Sequence, residues 1–177
     1  MHIWIGCRLP EEFEWEIRAL CLEKNKDLGL DEVAFSLPQH ISLKISFETA
    51  HAEEILEYLP RLFAAVAPFR VEIQKIEQNG NILWMTVAED ETLRQLHEML
   101  DEHLNTHFGI EQHLFDTCFQ FHSTLFIDPD TTKIGKMREL LRSVELPRAL
   151  CVDTILLGTS ASGKPGTYRV VRTIDLH

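Results

Sequence analysis

Apolar and polar residues alternate from the first positions of the chain. Ile3, Ile5, Cys7 and Leu9 fall on one face of an extended segment, and Trp4, Gly6 and Arg8 on the other. Successive side chains leave opposite faces of a strand, so this period of two predicts a half-buried strand. The spacing then becomes helical. Pro10 and the acidic Glu11, Glu12 and Glu14 open a helix with the stripe Phe13, Ile17, Leu20 and Cys21, which runs to about Asp27 and closes near Gly29. Residues 33–47 read as two extended pieces, or as one long strand interrupted at Pro38, which has no N–H to give to a ladder. Ile55, Leu56, Leu59, Leu62, Phe63 and Val66 predict a helix over 50–67, kinked or split at Pro60. Residues 69–77 and 82–87 flank Asn79-Gly80 and predict a hairpin, with Trp84 read as a core side chain. A third helix is predicted over 91–108, on Leu93, Leu96, Leu100, Leu104 and Phe108, with Gly109 as its stop. A fourth runs from Thr131 to about Ser143 behind the cap candidate Asp130, and residues 149–157 and 168–176 make a last strand pair.

Two strands in this series carry the same polar signature. His40-Ile41-Ser42-Leu43 and His122-Ser123-Thr124-Leu125 both read His-x-Ser/Thr-apolar, 82 positions apart (122 minus 40). Residues i and i+2 of a strand share a face, so each run sets an imidazole beside a hydroxyl. Around the first, Ile41, Leu43, Ile45 and Phe47 oppose His40, Ser42, Lys44 and Ser46; around the second, Phe119, Phe121, Ser123, Leu125 and Ile127 oppose Gln120, His122 and Thr124. One such strand would pass for a solvated sheet edge. Two, about half a chain apart, are the expected walls of a cleft.

The pair His40-x-Ser42 and His122-x-Thr124 resembles the signature motifs of the two-histidine phosphoesterase superfamily, which includes 2'-5' RNA ligase-like proteins and cyclic nucleotide phosphodiesterases. Pro38-Gln39-His40-Ile41-Ser42-Leu43-Lys44 is similar to the first-motif segment of bacterial members, and the element order fits over nearly the whole chain. Ser stands at position 42 where the other motif has Thr. The order strand-helix-strand-helix-hairpin, then helix-strand-helix-hairpin, predicts an α+β protein. The resemblance implies the same: one domain over 1–177, built as two lobes of antiparallel sheet related by a pseudo-twofold, with helices outside and a central cleft.

Charge narrows the partners. Twenty-eight acidic against 17 basic side chains give a net charge of -11, and long duplex nucleic acid demands many cations to displace its counterions. A nucleotide or RNA end bearing a cyclic or 2'-5' phosphate, in a locally positive cleft, remains open. No C-x-x-C spacing joins Cys7, Cys21, Cys118 and Cys151, which read as free, mostly buried thiols. The apolar start lacks the basic leader of a signal peptide, and no run is long enough to span a bilayer, so the cytoplasm is expected. His97, His103 and His107 suggest a metal, but Asp101 stands where H-E-x-x-H needs a second histidine, so they read as solvated polar-face residues. Gly158 to Gly166 nearly spells a phosphate loop; Pro165 occupies the Ser/Thr position and a strand follows, which argues against an ATPase, and Lys164 is read as a solvated hairpin tip.

The chemistry expected of the motif pair needs no cofactor or metal. One imidazole, neutral near its ordinary pKa of about 6.5, takes a proton from water attacking a phosphodiester, and the other, protonated, gives one to the departing ribose oxygen. Ser42 and Thr124 donate to the non-bridging oxygens, Lys44 and Arg8 add positive charge, and Trp4 stacks on a base or else joins the core. This describes a phosphodiesterase of 2',3'-cyclic or 2'-5' linkages, with ligation as the reverse direction. The alternative is a binding module for nucleotide or RNA ends without turnover.

Overall fold

The structure, a computed structural model, describes residues 1–147 and 149–177. β1 (His2–Arg8) lies inside the larger sheet, between β9 (Thr154–Ser160) and β2 (His40–Ser42), with β10 (Arg169–Asp175) beyond β9 and the short β3 (Phe47–Glu48) also on β1. A second sheet runs β5 (Ile73–Asn79), β6 (Ile82–Val87), β7 (His122–Ile127), and β4 (Phe69–Val71) pairs with β8 (Leu150–Val152). Every pairing is antiparallel. The α+β architecture with antiparallel sheets is as expected.

The helices form where stripe and cap agree. α1 (Glu11–Asn25) buries Phe13, Ile17 and Cys21, and the Asn25 amide closes it by accepting from Leu30 N at 2.8 Å and donating to Leu30 O at 3.0 Å. α3 (Glu91–Phe108) starts where the Asp90 carboxylate accepts from Leu93 N and stops at Gly109, whose φ of 65° suits a residue without Cβ. α4 (Thr131–Leu141) is capped by Asp130, which accepts from Thr132 N and Lys133 N, and it packs on β5 and β6. α2 (Ala52–Leu62) is shorter than its apolar spacing predicts, and Pro60 lies within its last turn without splitting it. Proline cannot donate to the carbonyl four residues back; that carbonyl, Leu56 O, instead accepts from Arg172 Nη1 at 2.8 Å. One hydrophobic cluster joins Ile3, Ile5 and Cys7 of β1 to Leu83, Met85 and Val87 of β6 and Leu125 of β7.

Residues 33–47 depart most from expectation. Val33–Ser36 is a 3-10 turn, β2 holds three residues, and the chain bends at Leu43 and Lys44 before β3. The alternation therefore ends at Ser42. Lys44 turns inward, 2% exposed; its ammonium donates to Asp116 Oδ2 at 2.8 Å and to Asp101 of α3. Asp116 also accepts from Ile45 N and His113 N. Burial pushes the Asp116 carboxyl up, but the Lys44 hydrogen bond and the two backbone N–H groups outweigh it and hold the pKa below the ordinary value. The expected cleft cation is thus a buried tie between the loop after the first motif and the segment before the second. His97 belongs to the same knot, with Nδ1 2.6 Å from Leu43 O and Nε2 3.1 Å from Asp116 O, so it is buried rather than solvated.

Lys44→Met should strand two carboxylates in this pocket and cost about 3–5 kcal/mol of stability. Urea unfolding measures it; a loss below about 1 kcal/mol, the range of exposed pairs, would show that water screens the cluster.

Candidate active site

The two motif strands belong to different sheets, yet β2 packs directly on β7. The tie between them is polar. Ser123 Oγ, between the second histidine and its threonine, donates to Gln39 Oε1 at 2.8 Å, across 84 residues of chain. Gln39 immediately precedes His40, and both partners are buried, at 2% and 1% exposure. Leu9 N also holds this segment through Gln39 O at 2.9 Å. The apolar face of β7 therefore spends its one hydroxyl on fixing where the first motif sits.

Both histidines are held in the same way. His40 Nδ1 lies 2.6 Å from Pro38 O, and His122 Nδ1 lies 2.7 Å from Gln120 O. A carbonyl only accepts, so each Nδ1 carries the proton and each neutral ring keeps the Nε2 lone pair for other work. Burial lowers the His40 pKa to about 4, with the Pro38 carbonyl opposing and the charge of His122 adding to the fall. Burial also lowers His122, against the pull of the Gln120 carbonyl. That His122 contributes at His40 means the two imidazoles sense one another.

Each ring also rests on an indole from the neighbouring strand. Trp4 meets His40 edge-on with centroids 4.2 Å apart, and Trp84 of β6 meets His122 at 4.1 Å. Trp4 is 5% exposed and lies so close over the sheet that a Cβ at Gly6 or Gly158 would fall 2.8 or 2.6 Å from its ring. Its Nε1 donates to Ser42 Oγ at 3.1 Å, which occupies a lone pair and leaves the serine O–H free to donate. Trp4 is thus a floor beneath the first motif, not an open stacking surface. Trp84 is buried, as expected of a core side chain, but stands outside the main cluster and opposite Thr124 in the β6–β7 register. Its Nε1 is buried without a partner among the described residues, a condition that costs about 1–3 kcal/mol.

Across their ladders the histidines face different residues: Arg8 opposite His40, and buried Thr86 opposite His122. Arg8 is half-buried, its Nη2 3.9 Å from Glu11 and its Nε without a partner among the described residues. With Lys44 consumed inside, Arg8 is the sequence-predicted cation that stays beside the motif. His40, Ser42, His122 and Thr124 are all half-buried, as groups at the mouth of a cleft would be.

The remaining candidates fall elsewhere. His103 Nδ1 pairs with the Tyr58 hydroxyl, and His107 packs on the same ring at 5.2 Å, so both serve the contact between α2 and α3. No group of three or more His, Cys, Asp or Glu among the described residues is placed to hold a metal ion. All four cysteines are free; Cys7 and Cys21 are buried, but Cys118 and Cys151 are exposed, contrary to expectation. A concavity of about 660 Å³ beside β5 and α4 holds none of the motif residues, and its Lys75 and Arg138 pair with Glu77 and Glu139. No helix among the described residues is long and apolar enough to cross a membrane. Sequence reasoning missed Gln39 and Ser123 as the tie between the motif segments, and Trp84 as the ring against His122. Trp84 left a signal, since it falls out of phase with Leu83, Met85 and Val87.

The family model of the 2'-5' RNA ligase superfamily matches residues 9–163. A crystal structure of TT0787 from Thermus thermophilus has a TM-score of 0.64 and 22% identity, covering 99% of this chain and 98% of that one. E. coli LigT in its apo form gives 0.60 and 18%, over 99% and 96%. Kluyveromyces marxianus Usb1 gives 0.54 and 13%, over 99% and 98%. No curated protein matches the sequence at a significant level.

The lowered pKa of His40 ties stability to pH. The unfolded chain protonates this imidazole below about 6.5, while the folded one resists until about 4. Stability is therefore full above the first value and falls as acidification carries pH through the second. Urea midpoints measured across that window should drop less steeply for His40→Gln than for wild type. Equal slopes would mean that His40 is not held neutral by the fold.

Proposed function

The chain belongs to the 2'-5' RNA ligase superfamily, and we propose that its cleft is the active site of a phosphodiesterase that opens 2',3'-cyclic phosphates or cleaves 2'-5' linkages at nucleotide or RNA ends. The observation that carries this reading is the mirrored arrangement of two tautomer-locked imidazoles, each with a free Nε2 and a hydroxyl two residues on. Displacement at phosphorus needs a base on the side of attack and an acid on the side of departure, and groups on two walls can serve both. Crystal structures of E. coli LigT hold phosphate, 3'-AMP and ATP, which supports a phosphorylated ribose as the ligand class.

In this scheme His40, with the lower pKa and Arg8 opposite, is the base. Its Nε2 takes a proton from water as the water oxygen bonds to phosphorus. The P–O bond to the ribose oxygen breaks, and His122, which enters this step as imidazolium with a second proton on Nε2, supplies from Nε2 the proton that this oxygen needs. Ser42, its lone pair engaged by Trp4, donates to one non-bridging oxygen, and Thr124 to another. Arg8 balances the charge. The same groups with roles exchanged run the ligating direction, and no metal is called for.

His40→Ala and His122→Ala should each lower kcat on 2',3'-cyclic nucleotides about 10²–10⁴-fold; undiminished turnover in both would end the proposal. The pH profile of kcat/KM reports the free enzyme. It should be a bell displaced to acid, rising near 4 as His40 loses its proton and falling below the ordinary 6.5 as His122 loses its own. A plateau extending above pH 8 would exclude His122 as the acid.

A further inference from the structure

Each wall of the cleft sets an indole against its histidine, and the two indoles differ in one respect. Trp4 donates to Ser42 Oγ, whereas Trp84 Nε1, in a residue 8% exposed, meets no acceptor among the described residues. Three observations put that indole beside the second motif. Its ring lies 4.1 Å from that of His122. Its Cα stands opposite Thr124 in the ladder. Leu83, Met85 and Val87, which alternate with it, go to the core, so Trp84 leaves the sheet on the face of His122 and Thr124. Glu77 stands opposite on β5, but its carboxylate is engaged by Lys75 at 2.6 Å.

Buried donors nearly always have partners, and an indole N–H can only donate. We infer that Trp84 is a further substrate-binding residue, whose N–H is taken by an oxygen of the phosphorylated ribose end that enters the cleft. The inference rests on the phosphodiesterase reading above. It makes the halves unequal: in the first, a protein hydroxyl satisfies the indole, and in the second, the ligand does. A substrate would then be held in one orientation rather than two.

The test follows the indole resonances of the three tryptophans in ¹⁵N-labelled protein, assigned with Trp84→Phe and Trp15→Phe and titrated with inorganic phosphate and with adenosine 2'-monophosphate. The Trp84 N–H proton should move downfield, while Trp4, already bonded, and Trp15, which is 67% exposed, stay in place. Movement with phosphate alone assigns the acceptor to a phosphoryl oxygen; movement only with the nucleotide assigns it to the ribose. Trp84→Phe keeps an aromatic ring beside His122 but loses the N–H, and should lower kcat/KM about tenfold; relief of the unpaired donor offsets the buried volume it deletes, so the unfolding midpoint should move little. A purely structural tryptophan would lower the midpoint and spare kcat/KM. Ligand binding seen at other resonances with Trp84 unmoved overturns this inference alone. Absence of both binding and turnover in wild type overturns the phosphodiesterase reading, and this inference with it.

Discussion

The hydrogen bond from Ser123 to Gln39 is the contact on which the rest of the cleft depends. It is buried, joins β7 of one sheet to the residue that leads into β2 of the other, and sits one residue from each histidine. Apolar packing alone would hold β2 against β7 with tolerance along the strand, because one methyl face slides over another at small cost. A buried amide and hydroxyl do not tolerate that slide, since losing the contact strands both groups. The relative position of the two imidazoles is therefore fixed by a polar pair on the face away from them.

Around this tie the two halves are related without being equivalent. Each histidine is anchored through Nδ1 to the carbonyl two residues earlier and backed by an indole. The differences lie in what surrounds that shared unit. His40 has Arg8 across its ladder, and His122 has Thr86. Two imidazoles in identical settings would titrate alike and could not easily divide into base and acid. Unequal burial and unequal neighbours separate them.

The parts legible in the sequence were those governed by local spacing. Period two placed His40 with Ser42 and His122 with Thr124, and helical period with caps located α1, α3 and α4. Lys44 was misread because β2 is only three residues long, so alternation carried past Ser42 had no strand beneath it. A different fault overextended the second motif: β7 runs on to Ile127, but the register shifts where Leu83 faces Phe126 and Trp84 faces Thr124, so Phe126, not Ile127, is the buried neighbour. His97 could have been placed, since it shares the stripe of Leu93, Leu100 and Leu104. The Gln39–Ser123 bond could not, because nothing local marks a partner 84 residues away.

Both imidazoles being driven toward their neutral forms has a consequence for any anion that enters. Before binding, the motif itself offers no full positive charge, and Arg8 is the cation beside it. A phosphate brought between the rings favours the charged imidazole and raises its pKa, so binding and proton uptake are coupled, each promoting the other. In a chain of net charge -11, an anion approaching the surface is repelled at long range. Under the phosphodiesterase reading proposed above, the cleft would overcome that repulsion only at short range, where a proton arrives with the ligand. Selectivity for a phosphate end over other anions would then come from what can both accept several hydrogen bonds and bring a proton onto one ring, which a buried imidazole pair does better than a permanently charged lysine.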